Sequence, residues 1–395
     1  MSAGIDEDPL LLKMKKKKLL RIISSLNPRY GGASKGVADS SVALTKQGFI
    51  VDILTTDNFS DNFLKSKKIN VINLGPKIFG YFSLKTFFWL KKNKDKYDHF
   101  IVEGIWEFNT LIARLLIKDK FYVYTHGQLD PFFGTQFLKK IKKQIYWFLI
   151  EKRNLMAAKS LLLTTAKEKK LLRKTFVNTE GIKKTIVGYG ILKENFDKKK
   201  VLNKFYSKFS YFKNKKFFLF LGRFHEKKGI EILLENVKLL KEQKIDINIL
   251  MAGPASNLKS KLIERSKKYN LQKNIYWTGM LLGDLKWGAL SASEAMVLSS
   301  HGENFGVAVV ESLSCGKPVL ISNKVNIYDK VKKYKAGFVS HNSTKSFLLI
   351  LKLFLNLGQK NKNILSINAY KCFQKNFNLM RDNNLSKIIR QDNEK

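Results

Sequence analysis

Short apolar runs alternate with helical stretches along almost the whole chain, and this alternation constrains the fold more than any other feature. In the first half the spacing predicts strands at Leu19–Leu26, Phe49–Leu54, Ile69–Asn73, His99–Glu103, Phe121–Tyr124, Leu161–Thr164 and Thr185–Val187. Helices are expected between them, including Leu84–Asn93, Phe108–Ile117 and Phe137–Ala157. Such alternation implies a parallel sheet covered on both faces. Gly188, Gly190 and the lysine-rich stretch Lys193–Lys204 interrupt it. The pattern restarts with strands at Phe217–Leu221, Ile247–Ala252, Ile275–Thr278, Ala295–Leu298 and Val319–Ile321. Helices are expected at Gly229–Leu240, Asn257–Tyr269, Leu281–Leu290 and Val307–Cys315.

The fold class is therefore α/β, with two tandem Rossmann-like doubly wound domains facing a cleft. A leader spans 1–17, one domain 18–190 and the other 191–363. A helical tail over 364–395, with no strand after it, is expected to pack back on the first domain. At 395 residues each domain can bury its own core. Open α/β sheets bind ligands outside the carboxyl ends of their strands, so the cleft is the place to look for chemistry.

Composition removes several classes. A hydrophobic content of 44% excludes a disordered chain, and two cysteines, Cys315 and Cys372, exclude a disulfide scaffold and suit a reducing compartment. No apolar run approaches the ~18–20 residues that cross a bilayer. The stretch from Met14, MKKKKLLRIISSLNP, imitates a signal peptide. Arg21 cuts its apolar part and no small-residue cleavage site follows, so the protein is expected to stay in the cytoplasm. Residues before Met14 read as a ragged tail or a misplaced start. The net charge is +41, yet only nine of the 73 basic residues are arginine. Arginine gives the bidentate match that sequence-reading nucleic-acid binders use, so no nucleic acid is expected as a partner. The lysines fit either an AT-rich coding bias or attraction to an anionic membrane leaflet.

Three loop features point to an anionic ligand. Gly31-Gly32 lies between a strand and a helix, where bare N–H groups and the helix dipole attract negative charge. It matches neither G-x-G-x-x-G nor the P-loop, and Gly188-Tyr189-Gly190 lacks the third glycine of a nicotinamide site. Gly222-Arg223 ends the second domain's first strand and Lys228-Gly229 opens the next helix, an arrangement suited to a diphosphate. Glu303-Asn304-Phe305-Gly306-Val307 sits on a loop before a helix that carries Glu311. Two separated carboxylates with free helix-start amides between them suit a sugar and a ribose. Each feature alone also fits an ordinary turn or a solvated charge. The only D-x-D is Asp6-Glu7-Asp8, and the five histidines show no i, i+4 pair, so no metal site is indicated.

Together these residues resemble the GT-B glycosyltransferases, specifically retaining family 4. The resemblance covers nearly the whole chain and is most specific at Glu303–Val319, which is similar to the family's E-x7-E element and its G-x-P-V continuation. Phe220-Leu221-Gly222-Arg223 with Lys228-Gly229 is similar to its diphosphate element, and Gly31-Gly32 to its amino-terminal double glycine. His126-Gly127-Gln128-Leu129-Asp130-Pro131 resembles a bacterial subgroup with an H-G-x-L-D-P segment. The chain departs from the family at Ser299, where proline is usual, at Gly188-Tyr189 in place of Pro-Asn, and at Glu103 in place of a histidine.

The resemblance implies transfer of a sugar from a nucleotide diphosphate sugar with retained configuration, no metal and no cofactor. It implies Glu303 and His126 as catalytic residues. Arg223, Lys228, Asn304, Phe305, Gly306, Val307 and Glu311 would bind the donor, and Gly31, Gly32 and Glu103 the acceptor. The acceptor is expected to be lipid-linked or a cell-surface saccharide. A phosphorylase or nucleotide-sugar epimerase would use a similar pocket, and a basic nucleic-acid-binding protein would leave Glu303 and Glu311 without a role. Docking on an anionic membrane is expected through Phe137–Asn154. Phe137, Ile141, Ile145, Phe148 and Leu149 fall on one helical face there, flanked by Lys139, Lys140, Lys142 and Lys143, with Tyr146-Trp147 at headgroup level. Phe79–Lys92 has a similar mix. The alternative is that Phe137–Asn154 packs its apolar face on the sheet.

Overall fold

A computed structural model describes residues 16–58, 69–76, 83–129, 137–175, 178–381 and 384–391, with positions 30, 137–140 and 174 described by backbone alone. The leader thus lies almost wholly outside the described residues, as do Asp130 and Pro131. Among the described residues, the first sheet has strands β1 (Lys18–Ile23), β2 (Ile50–Thr55), β3 (Asn70–Asn73), β4 (His99–Glu103), β5 (Phe121–Tyr124), β6 (Leu161–Leu163) and β7 (Lys184–Ile186). Their order is β3-β2-β1-β4-β5-β6-β7, all parallel. The second sheet has β8 (Phe218–Leu221), β9 (Ile249–Ala252), β10 (Ile275–Thr278), β11 (Ala295–Leu298), β12 (Val319–Ser322) and β13 (Gly337–Ser340). Its order is β10-β9-β8-β11-β12-β13, again parallel.

The central strands are buried on both faces, which is why their sequences are continuously apolar rather than alternating. The one charged residue buried in β1 is Arg21, 1% exposed. Strand order reverses between β1 and β4 in the first sheet and between β8 and β11 in the second. Those two switch points open ligand crevices at the carboxyl ends, and the expected site residues lie on loops, strand ends and helix starts there, save Glu311, one turn into the helix Val307–Ser314.

Three segments differ from the sequence expectation. The lysine-rich stretch read as a boundary contains the helix Lys198–Lys208, capped by Asp197, which accepts from Lys199 and Lys200 N–H. Val201 and Phe205 anchor it against the helix Gly283–Ala292, while most of its lysines face outward and hide it in the sequence. The stretch Phe137–Ala157 is helical, but Trp147–Glu151 takes a π-turn. The tail expected as one unit on the first domain divides. Helix Gln359–Asn376 packs on the second domain's helices Val307–Ser314 and Tyr328–Tyr334. Helix Asn384–Gln391 then returns Leu385 and Ile389 to the first-domain core beside Leu19, Leu44 and Phe49. The two crossings between domains lie side by side, with Ile191 N–H donating to Phe377 O at 2.9 Å. No helix among the described residues is long and apolar enough to cross a membrane.

Candidate active site

On the second domain, β8 runs out into Gly222 and the exposed Arg223. A single turn, Glu226–Lys228, then leads into the helix Ile230–Glu242. From β11 the chain passes Ser299–Gly302 to Glu303, which is pinned by Glu303 N–H to Lys324 O (2.9 Å) and Asn326 N–H to Glu303 O (2.9 Å). The Glu303 carboxylate pairs with the Lys228 ammonium. Burial alone would raise the Glu303 carboxyl; the adjacent Lys228, with Lys227 and Arg223 behind it, outweighs burial and holds it below the usual carboxylate range. Glu303 is therefore an ionised acceptor. Glu311 accepts from Lys286 Nζ at 2.7 Å, and both side chains are largely buried.

The first domain is built differently. Arg21 Nε donates to Glu103 Oε1 at 2.7 Å, and its Nη1 donates to the Val37 carbonyl and to Ser41 Oγ in the helix Gly32–Lys46. Burial would raise the Glu103 carboxyl, but the Arg21 guanidinium and His126 override it and hold it low. As an ionised acceptor, Glu103 Oε2 accepts a hydrogen bond from His126 Nε2–H at 2.7 Å. His126 has φ +48, and its ring stacks on Tyr124 at 4.7 Å. The next amide, Gly127 N–H, donates to buried Glu168 at 3.0 Å, and Glu168 also accepts from Thr125 and Thr164. A buried chain from Arg21 through Glu103 thus sets the His126 side chain, and Glu168 sets its backbone.

Three of the places where the two halves meet border the candidate site. A Cβ on Gly127 would stand 2.5 Å from Asn304 Cβ, so the His126–Gly127 turn touches the Glu303 loop through its neighbour. Asn304 Nδ2 also donates to Thr164 Oγ1 at 2.9 Å. Tyr189, in the crossing segment, packs against Phe305 at 4.7 Å and against His126 at 5.9 Å. At the third place Gly31, with φ +100, faces the Arg223 guanidinium, and a Cβ on Gly32 would stand 2.6 Å from Val307. The amino ends of helices Gly32–Lys46 and Val307–Ser314 therefore point at each other across the cleft, each with N–H groups that have no partner inside its helix.

Between these contacts lies a cavity of about 660 Å³. Gly31, Gly32, Arg223, Val307, Lys286 and Glu311 line it, with Pro254 and Met280–Leu282 at the apolar end. Arginine, two helix amino ends and a lysine–carboxylate pair beside apolar surface make a site for an anion carrying hydroxyls and a flat apolar group.

Residues 203–371 match the family model for glycosyl transferases group 1. The glycosyltransferase MJ1069 of Methanocaldococcus jannaschii is 26% identical over 92% of this chain and 96% of its own length. A second glycosyltransferase of that organism, MJ1059, is 32% identical over 30% of this chain, and the match spans only 32% of MJ1059. Among solved structures, Anabaena Alr3699/HepE in complex with UDP and glucose superposes with TM-score 0.73 over 95% of this chain and 99% of its own, at 15% identity. The chain has the two-domain GT-B fold, and its residues 203–371 are similar to the glycosyl transferases of group 1.

Within this GT-B frame, Arg223, Val307 and Glu311 line one cavity, and Lys228 and Glu303 pair beside it. Gly31 and Gly32, expected on the acceptor side, lie instead against Arg223 and Val307. Glu103 is 6% exposed and holds Arg21 and His126 rather than facing the cleft. Phe305 places its ring in the second-domain core, leaving its backbone to the loop, and Asn304 binds the first domain. Among the described residues no contact joins His126 to Glu303. Lys286 and Glu168 carry no mark in the sequence, and Arg21 and Tyr189 are marked there only as a break in an apolar run and a departure from the family's Pro-Asn. Their partners lie 25, 41, 82 and 157 positions away, separations at which spacing carries no signal.

Proposed function

We propose that this chain is a retaining family 4 glycosyltransferase, moving a sugar from a nucleoside diphosphate sugar to an acceptor hydroxyl without a metal. The observation that carries this reading is the convergence of Arg223, two helix amino ends and Glu311 on one cavity between the domains. The barrier to transfer is the parting of an oxocarbenium-like sugar from a leaving diphosphate, so fixed positive charge at the phosphates is the chief demand. Arg223 and the helix-start amides supply it. Lys228 adds to it by turning from Glu303 to the phosphate oxygens, which frees the ionised Glu303 for the sugar hydroxyls. Glu311, held by Lys286, takes the ribose hydroxyls. Gly31 and Gly32 belong with the diphosphate on this reading, since a side chain there would meet Val307 or a left-handed backbone. His126, oriented by Glu103, borders the sugar from the first domain, and Asn304 against Gly127 excludes water that would hydrolyse the donor.

HepE, the neighbour that binds UDP and glucose, makes UDP-sugars the first donors to try. The acceptor is a lipid-linked or cell-surface saccharide, reached by a protein working on the cytoplasmic side of a membrane. The test is release of free nucleoside diphosphate from a panel of UDP- and GDP-sugars, with and without EDTA. Turnover of one donor, insensitive to EDTA, is expected. No turnover of any donor overturns the transferase reading, and activity lost in EDTA but restored by Mg²⁺ or Mn²⁺ overturns the metal-free part.

A further inference from the structure

Three helical segments cover one face of the first sheet. Leu90 of Leu84–Asn93, Ile112 and Ala113 of Phe108–Leu116, and Trp147 and Leu155 of the segment Phe137–Met156 all join the core that packs on Leu20, Phe100 and Val123. Phe108–Leu116 lies in the middle, touching both others. Their outer faces therefore form one side of the domain, and that side is apolar. Phe88 (61% exposed), Leu115, Ile141, Ile145, Phe148 (65%) and Leu149 stand out from it. Water-facing apolar residues so concentrated mark a surface that something covers. The side chains of Ile141, Ile145, Phe148 and Leu149 do not pack on the sheet; Trp147, expected at headgroup level, does, at 1% exposed, with Tyr146 half-buried against Trp106. Trp147 lies on the opposite side of the helix from the outward row, so the sheet takes the indole and the row is left outside.

Charge says what covers this side. The three segments 84–93, 108–116 and 137–156 hold ten Lys and Arg against one acidic residue, Glu151. Glu151 is fully buried, its carboxyl pushed up to about 8 by burial that the Thr110 and Asn154 hydrogen bonds only partly offset. The exposed charge is accordingly all positive. A second copy of the chain would bring the same positive charge against it, whereas an anionic lipid surface accepts both the apolar row and the lysines around it.

We propose that the outer face of these three helices is a docking surface for an anionic lipid bilayer. Phe88, Leu115, Phe148 and Leu149 enter the acyl boundary, and Lys91, Lys92 and Lys142 lie at the headgroups. The proposal deepens the reading of a lipid-linked acceptor, but docking can fail while sugar transfer stands, and the reverse. Each lysine near such a surface adds roughly five-fold to partitioning at low salt, so three charge reversals remove more than a hundred-fold.

The test is flotation of the full chain with vesicles of phosphatidylcholine alone and of phosphatidylcholine with phosphatidylglycerol, at low and high salt. Wild type should float with the anionic vesicles, less so at high salt, and stay behind with phosphatidylcholine. The variants F88S/F148S and K91E/K92E/K142E should lose flotation while keeping the wild-type unfolding midpoint. I367S, which alters an exposed residue on the second domain, should float as wild type does. Wild type failing to float, or both surface variants floating normally, overturns the proposal. So does a wild-type dimer that the same variants convert to monomer with no vesicle binding, which would make a second copy the occupant. Donor turnover is measured on the same samples, so loss of docking and loss of chemistry are read separately.

Discussion

The second domain presents its charges as pairs that can be exchanged, and the first domain presents its own as a chain that cannot. Lys228 with Glu303 sits part-exposed beside an open cavity, and the largely buried pair Lys286 and Glu311 lines its wall, so a ligand in the cavity reaches both pairs. Arg21, Glu103 and His126 are nearly sealed from solvent and bonded end to end. A ligand carrying phosphates and hydroxyls can substitute for a carboxylate or an ammonium at the first kind of site without leaving a bare charge. At the second kind any loss strands a buried ion. On the proposed function most charged binding groups fall on the second domain and the positioning chain on the first, and the helix amino ends that meet at Gly32 and Val307 are where the two are joined.

The largest effect that could break this comparison is on stability. Glu103→Ala leaves Arg21 buried without its partner and should lower the unfolding free energy by ~3–5 kcal/mol in urea titration. Lys228→Ala, at a part-exposed pair, should lower it by about 1 kcal/mol or less. Equal losses would dissolve the distinction. Acidification probes the same group. Because the folded Glu103 carboxyl is held below its ordinary 4.5, its contribution is complete above that pH and fades as pH falls through the lower folded value. The folded chain should lose this slope in Glu103→Gln.

Glu151, buried beneath the outer helices of the first domain, has the opposite sign. Its carboxyl is raised to about 8, so between pH ~4.5 and ~8 the folded chain keeps a proton that the unfolded chain releases, and stability falls as pH rises. Glu151→Gln should remove a loss of a few kcal/mol across that window, seen as a higher thermal midpoint at pH 8 than wild type and little difference at pH 5. A smaller effect belongs to Lys286. Lys286→Ala should raise the donor KM by roughly ten-fold with kcat little changed, because it holds Glu311 for ground-state and transition-state binding alike. A drop in kcat alone would place Glu311 in the chemistry instead.

Much of the scaffold was legible because buried parallel strands have to be continuously apolar; β4, β5, β10 and β11 fall on the residues the runs predict. The helix Lys198–Lys208 was not, since lysines facing solvent conceal two buried anchors. Local motifs on the second domain were legible because their spacing is short: Arg223, Lys228 and Glu303 lie on loops and turns, and Glu311 lies one turn into the helix that follows Glu303. The Arg21–Glu103–His126 chain was not. Arg21 reads as a break in an apolar run, Glu103 as a departure from a family histidine, and nothing in the spacing says that β1 and β4 will be neighbours with Ile23 opposite Glu103. Gly31 and Gly32 were visible as an anion-binding turn, but only the packing against Val307 puts them beside Arg223.

On the proposed function, everything else depends on Arg223 meeting phosphate charge in the cavity and Glu303 meeting sugar hydroxyls beside it. That assignment is tested most directly by donor turnover in Arg223→Ala and Glu303→Gln, with unfolding midpoints measured alongside. Deleting one charge-assisted hydrogen bond in a closed site costs ~2.7–4 kcal/mol in the transition state, so kcat/KM should fall by roughly 10²–10³ in each variant while the midpoint stays at the wild-type value. A kcat/KM near wild type in either variant, with the fold intact, would contradict it.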